Sequence, residues 1–140
     1  MSNPFPHNRR YRPPLPTLKI MLRASDSSGT RTELLPALLD TGADITSVPV
    51  RILHSIGARP LDEVRLRSHW GHAVSVITYL VDVEVNATVL PAVEVASDTT
   101  NAEIVLGRDV INHLLVLIDG PGLTTDVLDH RPRRIRRKGS

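Results

Sequence analysis

The sequence predicts a mostly β domain: a closed, barrel-like sheet with one or two short helices. Three observations carry that expectation. Short apolar or alternating segments recur between turn clusters along the chain, as strands of a closed sheet do. Helical start and stop signals occur at only two short stretches. Hydrophobic residues make up 41% of the chain but aromatics only 3%, so the core must be built from Leu, Val, Ile and Ala. At 140 residues the chain has room for one such core.

The elements follow in order. "TLKIMLRA" (17–24) alternates, "SDSSGT" is a turn cluster and "RTELLPALLD" is a second strand, so a hairpin opens the domain. "DITSVP" reads as a short strand, and "PVRILHSIGA", with Pro at its start and Gly near its end, as a short helix. "LDEVRLRS" and "AVSVITYLVDVEVNATV" alternate around "HWGH", which predicts a long hairpin with its tip near Gly71. "PAVEVAS" is expected as a further strand, "DTTN" as a loop and "EIVLG" as a buried strand. "RDVINHLLVL" reads as a short helix running into a strand, "DGPG" as a turn and "LTTDVL" as a last strand. The expected organisation is a flexible basic, Pro-rich arm over 1–14, a domain over 15–128 and a disordered Arg-rich tail over 129–140.

Composition excludes several classes. There is no cysteine, hence no disulfide, thiolate metal site or cysteine nucleophile. No apolar run reaches membrane-spanning length and no signal-peptide pattern opens the chain, so the expectation is a cytoplasmic protein without membrane contact. The net charge of +2 conceals an asymmetry. The first 16 residues carry three arginines and no acid, and 129–140 carry six basic groups against Asp129; the segment between holds 8 basic and 14 acidic residues. A body with net charge −6 and two aromatics, Trp70 and Tyr79, is no platform for nucleic acid, which leaves the Arg-rich tail as the one candidate contact.

The chemistry-bearing stretch is "ALLDTGADITSV" (37–48). Asp40 ends an apolar run and is followed by a Thr-Gly turn, with Asp44 and a threonine, Thr46, shortly beyond. Far along the chain stands "IVLGRDVI" (104–111). A lone Asp-Thr-Gly is only a good turn. The two motifs together, in this order, resemble the signature of the retropepsin-like aspartic proteases over about residues 15–128.

The resemblance implies a retropepsin-like closed barrel, one lobe per chain, with a flap hairpin. It implies an aspartic endopeptidase in which two carboxylates share a proton and activate water. Asp98 and Asp119 lack the following Thr/Ser-Gly pair, so each chain offers one such aspartate and a homodimer must bring two Asp40 together. Thr41 and Gly42 complete the catalytic turn, Thr41 bonding to the partner's loop and Gly42 permitting close approach. Ala43, Asp44, Arg108, Trp70 and Gly71 are expected to bind an extended polypeptide substrate, Asp44 pairing with Arg108 and Trp70 covering the cleft. No cofactor and no metal is expected, since the His69/His72 spacing lacks a third ligand nearby. With arginine-rich ends, the interface falls to the "LTTDVL" strand. The competing reading is a catalytically silent peptide-binding or dimerisation module of the same fold.

Overall fold

A computed structural model describes residues 4–26, 30–67 and 71–133. Its strands are β1 (Phe5–Pro6), β2 (Thr17–Ala24), β3 (Leu35–Leu39), β4 (Ser47–Pro49), β5 (Pro60–Arg67), β6 (Ala73–Val85), β7 (Thr88–Asp98), β8 (Ile104–Leu106), β9 (Val116–Asp119) and β10 (Thr124–Val127). The helices are α1 (Val50–Ser55) and α2 (Arg108–Ile111). One sheet runs β2-β3-β8-β4-β7-β6, and pairing of β6 back onto β2 closes those six strands into a barrel. Among the described residues β5 pairs only with β6 and stands out from the barrel as the outer strand of a hairpin. No helix among the described residues is long and apolar enough to cross a membrane.

The barrel closes because alternation puts one face of each strand inside. In β2, Leu18, Ile20, Leu22 and Ala24 are buried while Lys19 is exposed. They meet Ala37 and Leu39 of β3, Val81, Val83 and Val85 of β6, and Leu106 of β8 in an aliphatic core. β3 is antiparallel to β2 on one side and parallel to β8 on the other. That double pairing fixes the strand that delivers Asp40.

The structure departs from the sequence expectation between β6 and β7. The alternation through 73–89 suggests one continuous strand, yet the chain reverses at Asn86 (φ 53°) and pairs Val85 with Thr88. Asparagine tolerates that left-handed conformation better than most side chains. The expected "PAVEVAS" strand is the second half of β7, and Pro91 is accommodated by a register shift opposite Val81–Val83. Asp82 fills the irregularity: its Oδ1 accepts the amide of Ala92 (3.0 Å) and the Ser25 hydroxyl (3.0 Å), and its Oδ2 accepts Arg23 (3.1 Å).

A second sheet, ordered β1-β10-β9, packs beside the barrel. Part of the arm expected to be flexible is therefore paired, Phe5 with Thr125 and Pro6 with Thr124, and Asn8 bridges to Leu15. β10, the strand expected to build an interface, lies at the centre of its sheet with both edges occupied. Among the described residues β9, like the two-residue β1 at the other edge of this sheet, is paired on one side only. Most of the Arg-rich tail, from 134 on, lies outside the described residues.

Candidate active site

Asp40 follows β3 directly, so a buried strand ends on an exposed carboxylate. Its backbone is held from two sides: its amide donates to the Leu106 carbonyl of β8 (3.0 Å), and its carbonyl accepts the amide of Ala43 (3.1 Å). Its side chain is aimed by the turn itself, Oδ1 accepting the amide of Gly42 at 2.9 Å. A Cβ on Gly42 would sit 3.1 Å from that oxygen. Glycine here leaves the carboxylate room within its own loop, besides any room it leaves for a substrate.

The second motif grips the first. Arg108 donates its amide to the Ala43 carbonyl (2.9 Å) and a guanidinium nitrogen to the Thr41 carbonyl (2.6 Å), and it pairs with Asp44. The Asp44 side chain is 85% exposed, so the pair orders the loop more than it stabilises the fold; such surface pairs contribute about 0–1 kcal/mol. Five of the expected residues, Thr41, Gly42, Ala43, Asp44 and Arg108, thus gather around Asp40 or its loop.

Two further residues, not singled out for this role by the motif, complete the clamp. Thr46 is fully buried; its hydroxyl donates to Asp109 Oδ1 (2.7 Å) and accepts the amide of Gly107 (3.0 Å), while its own amide donates to Asp109 Oδ2 (3.0 Å). Gly107 lies so close to the loop that a Cβ would fall 2.8 Å from the Ile45 carbonyl carbon and 2.9 Å from the Ala43 oxygen. The signal for this clamp was a threonine inside the apolar "ITSV" and an aspartate after Gly-Arg, but only the β4–β8 pairing reveals that they meet.

The β5–β6 hairpin supplies the flap. Gly71 stands just before β6 with φ 81°, a left-handed conformation that favours glycine. Trp70, expected to cover the cleft, lies outside the described residues, as does His69. Beside the hairpin is a cavity of about 400 Å³, lined by Leu66, Val74 and Val76 of the hairpin and by Ser47 and the 97–100 segment.

A six-stranded barrel, an aspartate loop locked to a Gly-Arg segment and a projecting hairpin invite comparison with solved structures. The chain resembles a retropepsin-like aspartic protease from Rickettsia conorii with a TM-score of 0.57 at 14% identity, over 91% of this chain and 90% of that one. It resembles EIAV protease, solved in complex with the inhibitor HBY-793, with a TM-score of 0.54 at 19% identity, over 71% and 86% respectively. The fold is retropepsin-like. No protein-family model matches the chain, and no curated protein matches it by sequence. In this retropepsin-like barrel the two sequence motifs, separated by more than sixty positions, form one hydrogen-bonded unit around Asp40.

Proposed function

We propose that the chain is an aspartic endopeptidase whose active site is assembled from two copies. The observation that carries this reading is the exposed Asp40 carboxylate, aimed by the Gly42 amide and clamped by the Gly-Arg segment, on a retropepsin-like fold. With one such aspartate per chain, a two-fold axis brings two together, and like charges so close share a proton. The ionised member takes a proton from water; the protonated member donates to the scissile carbonyl oxygen. Water then attacks the carbonyl carbon, and the proton passes to the leaving nitrogen. Substrate lies extended between the Asp40 floor and the β5–β6 flap, as an added strand. Neither cofactor nor metal takes part.

The second copy has an open edge to meet. β9 is paired on one side only among the described residues and presents Leu117 and Ile118, each 49% exposed. Edge-to-edge pairing of β9 with its twin would extend both sheets and cover those side chains.

The test is digestion of a diverse mixture of unfolded peptides between about pH 3 and 8, comparing wild type with Asp40→Asn. Cuts made only by wild type, fastest below neutrality, are expected. A folded, dimeric wild type that cuts nothing would leave the silent binding module as the reading.

A further inference from the structure

We propose that the cavity beside the flap is a specificity pocket for a cationic side chain, arginine or lysine, whose charge meets Asp98; this rests on the peptide-binding reading of the cleft. The volume of about 400 Å³ lies in the range of built ligand sites. Its lining is mixed. The hairpin contributes Leu66, Val74, Val76 and Ile77 with Ser75, a mostly aliphatic set, while Asp98 is the one ionisable group among the described lining residues and comes with Ser47 and Thr99 from β4 and the end of β7. A mostly apolar lining that includes one carboxylate suits a long aliphatic stem that ends in a positive charge.

Asp98 is built for this task. Its Oδ1 accepts the Thr100 amide (2.8 Å), the Thr100 hydroxyl (2.9 Å) and the Asn101 amide (3.1 Å), which fixes the carboxylate. Among the described residues Oδ2 accepts only the Asn101 side-chain amide (2.9 Å), and it keeps capacity for a further donor. All four donors are neutral, and among the described residues no cation pairs with Asp98. Arg51 touches the same loop at the Ala102 carbonyl (3.5 Å) but does not line the cavity. Burial pushes the Asp98 carboxyl up, yet the hydrogen bonds from Thr100 and Asn101 outweigh it and hold the group below its ordinary range. The charge therefore persists under the mildly acid conditions in which a shared-proton protease works.

A randomised peptide library is passed over immobilised full-length protein carrying Asp40→Asn, which holds peptides without cutting them. Retained peptides should be enriched about 10-fold in Arg and Lys over Leu at one position, and depleted in Glu. Adding Asp98→Asn, which keeps an oxygen for Thr100 and Asn101, should abolish the enrichment while peptides still bind. Should that variant fold poorly, raised salt on the parent protein should weaken the preference, since it is a partly exposed charge pair. The same preference with and without Asp98 or salt, an apolar or acidic preference, or no retention at all would overturn the pocket. A wild type that cleaves nothing would overturn the peptidase reading separately, because retention needs no turnover.

Discussion

At the scale of single residues, the site loop is held by the buried Thr46 hydroxyl and the half-buried Asp109 carboxylate. Thr46→Val keeps the shape but leaves the Gly107 amide without its partner and Asp109 Oδ1 with the Val110 amide alone. Unsatisfied buried groups cost about 1–3 kcal/mol, so urea unfolding should show a loss of that size, with Thr46→Ser recovering most of it. Peptide cleavage should fall further than stability alone explains, because the same bonds hold the Asp40 loop. Asp82 makes a different prediction. Burial raises its carboxyl pKa, but the Ala92 amide, Arg23 and Ser25 outweigh burial and hold it below the ordinary range. A carboxyl depressed in the folded state contributes stability above its unfolded pKa of about 4, and that contribution is lost as pH falls through the lower folded value. Thermal melts should therefore show wild type losing stability on acidification below about pH 4, and Asp82→Asn should be less stable near neutrality but flatter in that window.

At the scale of elements, the joint between β8 and α2 sets the position of the turn after β3. Gly107→Ala places a methyl against the backbone of Ala43 and Ile45, which no side-chain rotation can relieve. Overpacking of this kind costs about 1–3 kcal/mol; calorimetry should show that loss, and cleavage should drop because the Asp40 loop is displaced. The elements legible in the sequence were those with a local pattern: the alternation of β2, the Pro-to-Gly bounds around α1, the hairpin at Gly71 and the two motif segments. Others were not, for physical reasons. The reversal at Asn86 hides because apolar alternation runs straight through it. β1 hides because two residues, one of them proline, form a strand only where β10 offers an edge. Thr46 and Asp109 were visible as residues, but their partnership depends on a long-range strand pairing. The edge status of β9, and the central place of β10, likewise follow only from tertiary pairing.

At the scale of the whole molecule, one closed barrel presents one Asp40, and the chemistry proposed for it needs two. The exposed apolar edge of β9 is the proposed contact with the second copy, so Leu117→Lys should leave monomer stability nearly unchanged while like charges oppose the dimer. Sedimentation should show the dissociation constant raised by about 10-fold or more, with activity recovered at high protein concentration. The most direct test of the shared site mixes wild type with Asp40→Asn in varying proportion, allows subunits to exchange and measures cleavage. If each site takes one aspartate from each copy, only dimers with two intact chains cut, and an equal mixture should retain about one quarter of the wild-type rate. A fall in simple proportion to the wild-type fraction, leaving about one half, would mean that a single chain carries the whole site and would contradict the account.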